Sequence, residues 1–232
     1  MDVELVAMSQ PILPGDRNPI GISERAACVC YDSKPTKSYR IVKTCMASGH
    51  TSVLEHISFT FRVKGISRAC LAQLSRHRHI SLSVRSQRYC REDDFDYVNP
   101  FPAGTEESFA VYESVADANR NYIDLLEAGM KPEDARAVLP KACCTELYLT
   151  ANARTLIEMS YLRLCTRAQR EIRELFTIIK QLLMGFCPEV AERMVPSCEK
   201  HAGYFFCTER ECCGRHPKLT DVFAIGDREI SG

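Results

Sequence analysis

Residues 76–88 read Arg-His-Arg-His-Ile-Ser-Leu-Ser-Val-Arg-Ser-Gln-Arg, four arginines and two histidines with no carboxylate among them. A solvated charged face would interleave Glu or Asp at helical spacing, which lowers self-repulsion. This stretch does not, in a chain whose 30 basic residues balance 30 acidic ones. Three serines, Ser81, Ser83 and Ser86, punctuate it. Hydroxyls set between guanidinium forks suit phosphate oxygens and carbonyl edges. On charge alone a basic surface loop is the competing reading.

The rest of the chain bounds the answer. A sequence of 232 residues, 45% hydrophobic, can bury a full core, and one large domain is expected. No signal-peptide pattern, membrane-spanning apolar run, repeat or low-complexity linker is visible, so a soluble cytoplasmic protein is expected. Zero net charge argues against a general nucleic-acid binder, which spreads basic excess over a whole face. Small anions are the better partners. Thirteen cysteines without a secretory signal read as reduced thiols or metal ligands rather than a disulfide framework.

Periodicity outlines an α+β protein. A first strand is expected around Val3 to Met8, a short helix over Glu24 to Tyr31, and a helix capped by Thr36 and closed by Gly49. Ile57, Phe59, Phe61 and Val63 alternate with polar residues as a half-buried strand. Ile66 to Ser75 reads as a helix that delivers Arg76-His77-Arg78, followed by a serine-rich loop. Thr105 opens a long helix with Phe109, Tyr112, Ala116, Tyr122, Ile123 and Leu126 on its buried face, ended by Gly129. Pro132 starts a short helix carrying Arg136. Asn152 caps another helix, and Thr166 with Gln169 is spaced as a capping box before an amphipathic helix through Phe186. Helices and strands do not alternate regularly, and no Gly-rich dinucleotide loop or P-loop is present. A dinucleotide would need another cradle, and the arginine run can supply it.

The order of residues inside 76–88 decides the fold. Arg76-His77-Arg78, seven positions, then Ser86 resembles the RHR-x7-S signature of the flavin-dependent thymidylate synthases. The resemblance covers roughly residues 20 to 190, with five further segments in the same order. It implies a single α+β domain, a mixed sheet packed by several helices, of the thymidylate synthase-complementing type. It also implies reductive methylation of deoxyuridine monophosphate (dUMP) to dTMP, with 5,10-methylenetetrahydrofolate as carbon donor, FAD as cofactor, NADPH as reductant, and a homotetramer with sites shared between subunits. Neither nucleic acid nor membrane is an implied partner.

Residue by residue, the resemblance implies FAD contacts at His50, Ser52, Arg76, His77, Arg78, Val84, Asn152, Ala153, Arg154, Glu158 and Leu162. It implies dUMP contacts at Gln73, Leu74, Ser75, Arg76, Val84, Arg85, Ser86, Gln87, Arg88, Arg136 and Arg163. Arg163 matches the arginine credited with ionising the uracil ring, a catalytic role that suits a permanently charged guanidinium. Three positions depart from the family pattern. Val84 stands where many members carry Glu, Cys30 where a small hydroxyl residue is usual, and Arg167 where a histidine contacts the flavin.

Residues 1–190 thus form the expected synthase domain, and 191–232 a cysteine-rich tail. A reduced tail packed on the domain, with no metal, is the expectation. A tetrahedral Cys2His2 or Cys3His site on Cys198, His201, Cys212 or Cys213, and His216 is the alternative. A competing function for the whole chain is an RNA- or nucleotide-binding module with a zinc-stabilised tail. The absence of aromatic residues inside 76–88 counts against it, because base stacking needs them.

Overall fold

The computed structural model describes residues 1–12, 15–201 and 203–222. Four strands, β1 (Asp2–Met8), β2 (Ser58–Ser67), β3 (Ile80–Val84) and β4 (Cys144–Asn152), form a sheet in the order β1-β2-β4-β3. Eight α-helices are found among the described residues: α1 (Ile20–Cys30), α2 (Arg40–Ala47), α3 (Arg68–Leu74), α4 (Glu106–Glu127), α5 (Pro132–Ala135), α6 (Ala153–Arg163), α7 (Arg170–Phe186) and α8 (Pro188–Ala191). The α+β expectation holds. The strands, however, run antiparallel rather than mixed. Arg68 N–H bonds the Cys143 carbonyl at one end of the β2–β4 pair, and Ala153 N–H bonds the Ile57 carbonyl at the other.

The chain divides into two compact units, Met1–Glu4 with Phe61–Thr150, and Leu5–Thr60 with Ala151–Gly232; the boundaries fall inside β1, β2 and β4. Residues 191–222 of the expected tail belong to the second unit, and 223–232 lie outside the described residues.

β2 forms because Phe59, Phe61 and Val63 alternate inward, each fully buried. A positive φ of 77° at Gly65 then slips the alternation by one residue, so that Ile66 also points inward and Ser67 is set to cap α3. Its hydroxyl accepts the Cys70 N–H at 3.0 Å. The expected serine-rich loop is in fact β3, an edge strand. Ile80, Leu82 and Val84 are half-buried while Ser81 and Ser83 face outward, a period of two hidden by the flanking arginines.

In the second unit α1 packs on α2 and on a 3₁₀ turn over Thr51–His56. α1 starts earlier than expected because the Asn18 side chain accepts the Ile20 N–H at 3.0 Å. A Cβ at Gly21 would meet the Asp16 carboxylate, which would have to swing aside for any larger residue. Thr36 does serve α2: its hydroxyl accepts the Arg40 N–H at 2.9 Å and donates to the buried Glu24 carboxylate at 2.7 Å. α7 buries Ile172, Leu175, Phe176, Ile179 and Leu183 as its pattern requires.

Two further expectations fail. The Thr166–Gln169 capping box does not form, because α7 begins at Arg170 directly after Gln169. On α4, Phe109 and Tyr112 are exposed, and Val115 and Tyr122 are the buried pair. The Tyr122 hydroxyl accepts the Glu92 N–H at 3.2 Å, which sets the inward face of the helix. No helix of the described residues is long and apolar enough to cross a membrane.

Candidate functional site

In the first unit, α3 ends in two successive turns, with Arg76 N–H on the Gln73 carbonyl and His77 N–H on that of Leu74. His79 then takes a left-handed φ of 62°, a conformation a β-branched residue would resist, and turns the chain into β3. Arg76 and Arg78 are thereby held exposed at a helix C-terminus, where cations are favoured. Among the described residues neither has an ion-pair partner. His77 and Gln73 are half-buried and both engaged. The Ser75 hydroxyl donates to the Ala72 carbonyl at 3.2 Å. Leu74 is wholly buried.

Beyond β3 the arginines converge. Val84 ends the strand half-buried and contributes no polar group. Arg85 is tied to the buried Glu92 carboxylate at 3.3 Å. Arg88 donates to Glu133 through Nε at 3.2 Å and Nη2 at 3.1 Å, while Arg136 Nε reaches the Glu133 carbonyl at 2.9 Å. Ser86 accepts the Arg88 N–H at 3.2 Å, and Gln87 turns to the Cys143 sulfur at 3.7 Å.

A residue absent from the sequence expectations joins this group. Arg68 donates Nη2 to the Arg85 carbonyl at 2.9 Å, and its Nε is buried without a partner. Burial, followed by the neighbouring guanidinium groups of Arg85 and Arg136, holds its pKa below the usual arginine range, with Cys143 and Glu92 opposing. Cations crowded this way gain from an arriving anion. No sequence signal marked Arg68, which sits at the start of α3, away from the arginine run.

In the second unit, Asn152 caps α6 by accepting the Thr155 N–H at 2.8 Å. Ala153 is wholly buried. Arg154 bridges Glu55 at 2.6 Å and Glu158 at 2.7 Å, and these carboxylates hold its pKa above the ordinary value, Glu158 foremost. Leu162 is exposed and Arg163 is half-buried and engaged. His50 is exposed, its Nδ1 lying 3.4 Å from the Tyr31 hydroxyl, and Ser52 is exposed on the following turn. Of the departures, Cys30 is exposed at the end of α1. Arg167 is engaged by the tail, with Glu209 at 3.7 Å and the Glu211 carbonyl at 3.1 Å.

The candidate residues therefore form two groups, one in each unit: Gln73 to Arg88 with Arg136 in the first, and His50, Ser52 and Asn152 to Arg163 in the second. The family profile described as "Thymidylate synthase complementing protein" matches residues 15–189. Proteins named flavin-dependent thymidylate synthase are similar over most of their length. The one from Nitratidesulfovibrio vulgaris is 38% identical over 192 residues, covering 78% of each chain. That from Geobacter sulfurreducens is 46% identical over 157 residues, 66% of this chain and 68% of its own. That from Pyrococcus abyssi is 34% identical over 221 residues, 79% of this chain and 90% of its own.

Proposed function

The chain belongs to the thymidylate synthase complementing protein family, that of the flavin-dependent thymidylate synthases, and from this premise we propose that it methylates dUMP reductively to dTMP. The carbon comes from 5,10-methylenetetrahydrofolate, FAD is the redox cofactor and NADPH the reductant. In the balanced reaction dUMP, the methylene folate, NADPH and a proton give dTMP, tetrahydrofolate and NADP⁺. The family match leaves no support for the RNA-binding alternative.

The observation that carries the site assignment is the exposed pair Arg76 and Arg78, without ion-pair partners among the described residues. An FAD diphosphate needs cationic forks where no glycine-rich cradle exists, and these two residues fit it. Arg154, oriented by Glu55 and Glu158, and the capped start of α6 offer further polar groups for the cofactor, with His50 and Ser52 on their own turn. Bound flavin supplies the hydride that makes the transferred carbon a methyl group.

The nucleotide phosphate is assigned to the arginines around Arg88 and Arg136. Arg88 is now paired with the Glu133 carboxylate and Arg136 held by the Glu133 carbonyl, and a phosphate would take over part of their bonding. Arg68 and Arg85 add fixed positive charge beside them. Arg163 stabilises the negative charge that grows on the uracil oxygens as the ring becomes nucleophilic. Ser86 organises the phosphate loop, its oxygen occupied by a backbone N–H. All thirteen cysteines are free, which supports a reducing compartment, the cytoplasm. We assign the active form as a homotetramer.

The test is NADPH oxidation by the FAD-loaded protein with and without dUMP, alongside dTMP formation from the methylene folate. A yellow protein that makes dTMP is expected. A colourless preparation that takes up no FAD, or a flavoprotein that makes no dTMP, overturns the reading.

A further inference from the structure

In the second unit, α2, α6 and the tail border a cavity of about 570 Å³ that the flavin and nucleotide assignments leave unused. Met46, Leu54 and Ile157, all buried, give it an apolar lining. Ser48, Gly49 and Thr51 also border it, and they belong to the turn that carries His50 and leads to Ser52. Small-molecule sites span about 300–1,000 Å³ and combine an apolar lining with a few placed polar groups.

The polar part of the lining is aromatic and cationic. Tyr161 comes from α6, and Arg193, Lys200, His201 and Tyr204 follow α8. No Asp or Glu among the described residues lines the cavity. Neither Arg193 nor Lys200 has an ion-pair partner among the described residues, whereas Arg154 on α6 is met by two carboxylates. Burial holds the Tyr161 phenol above its ordinary pKa, and the nearby Arg193 charge opposes that push. His201 is not drawn into a metal centre. Its ring stacks on Phe206 with centroids 5.5 Å apart, and the described ligand atoms that gather within 4.8 Å are those of Cys198, Glu199 and His216. The tetrahedral alternative on Cys198, His201, Cys212 or Cys213, and His216 therefore does not assemble. Two cations without carboxylates, on an apolar bed edged by aromatic rings, suit an anion that carries a flat ring.

We propose that this cavity takes the aminobenzoyl-glutamate arm of the methylene folate, with Arg193 and Lys200 pairing its carboxylates and Tyr161 and Tyr204 flanking its ring. The assignment rests on the thymidylate synthase reading above and extends it to the carbon donor. The carbon to be transferred sits at the pterin end of the folate and has to reach flavin and uracil, so the glutamyl arm extends away from them. A cavity that borders the His50–Ser52 turn and continues to two unpaired cations meets both needs. The reductant fits it less well. A dinucleotide diphosphate calls for adjacent forks such as Arg76 with Arg78, while one guanidinium and one ammonium suit two separate carboxylates. The tail thus serves to hold the carbon donor and takes no part in reducing the flavin.

The full-length, FAD-loaded protein is titrated by calorimetry, under reductant, with tetrahydrofolate and with 6-methyltetrahydropterin, which lacks the arm. Replacing both cations, Arg193→Gln with Lys200→Gln, should weaken tetrahydrofolate about 10–100-fold and leave the pterin unchanged. Lys200 is exposed, so Lys200→Gln alone keeps the fold and should still weaken tetrahydrofolate severalfold. In turnover the double variant should raise KM for the methylene folate by the same factor, with kcat and the rate of flavin reduction by NADPH retained. Unchanged tetrahydrofolate affinity in both variants overturns the proposal, as does an equal loss for the pterin. A rise in KM for NADPH in place of the folate overturns it too, and gives the cavity to the reductant. Wild-type protein that makes dTMP beside unaffected variants removes the arm's site alone. Wild-type protein that makes no dTMP, yet loses tetrahydrofolate on these substitutions, removes the reaction and keeps the site.

Discussion

Arg163 and Ser86 can act on a uracil ring in very different ways. A guanidinium remains charged at any working pH and lowers the energy of developing negative charge. A serine attacks only when a base takes its proton, and among the described residues no histidine or carboxylate is bonded to Ser86, whose oxygen already accepts the Arg88 N–H. Arg163→Ala should lower kcat by about 10²–10³-fold, whereas Ser86→Ala should keep turnover and weaken dUMP binding by about tenfold, roughly 1.4 kcal/mol. Steady-state kinetics on both variants decide this, and a nucleotide covalently trapped on Ser86 would refute it. Buried thiols set the alkaline limit of stability. Burial, aided by the Glu92 carboxylate, pushes Cys143 up to about 11, and burial pushes Cys187 up to about 12, from an ordinary 9.0. Because the folded values are raised, their stabilisation is complete below pH 9 and is lost as pH rises toward 11 and 12. Unfolding free energy should fall above pH ~9 by at most about 1.4 kcal/mol per pH unit for each thiol. Denaturant titrations should show a shallower alkaline limb when both are replaced by alanine.

At the scale of elements, α6 carries most of the second group of candidate residues, while β3 separates the two halves of the first. Asn152 closes the start of α6 by accepting the Thr155 N–H. Asn152→Ala should cost about 1 kcal/mol of stability and loosen FAD, and Asn152→Asp should restore the stability, as read by denaturant unfolding and flavin content. Recovery of neither would mean that the cap is not what Asn152 supplies. The long helix α4 is fixed by Tyr122, whose hydroxyl satisfies the N–H of Glu92. Tyr122→Phe strands that buried donor and should cost about 1–3 kcal/mol. It should also loosen Arg85, which Glu92 holds. Phe109→Ser, on the exposed side, should be nearly neutral. β3 was legible in principle, since Ile80, Leu82 and Val84 alternate with serines, but charge dominates the stretch and hides the period.

For the whole molecule, we predict that chemistry and tail separate. The residues proposed to bind FAD and dUMP all precede residue 170, while the tail reaches back to the end of α6 through Arg167 and through Ser160, whose hydroxyl donates to the Val195 carbonyl at 3.2 Å. Truncation after Pro196 should leave flavin reduction intact and lower Tm by several degrees, about 2–4 °C per kcal/mol lost. If the truncated protein keeps the assembly state of the full chain by light scattering and yet cannot reduce flavin, part of the flavin site lies in the tail. The sequence by itself determined the family, through Arg76-His77-Arg78 and Ser86, and the elements whose signals are local: the β2 alternation, the Asn152 cap and the α7 stripe. Those depend on neighbours within a few residues, so periodicity and capping chemistry suffice to read them. Only the tertiary structure decided which side of α4 turns inward, that the sheet is antiparallel, that Leu74 and Ala153 are buried, and that Arg68 joins Arg85 and Arg136. Burial and charge crowding arise between residues far apart in the chain, and no spacing along the sequence encodes which of them meet.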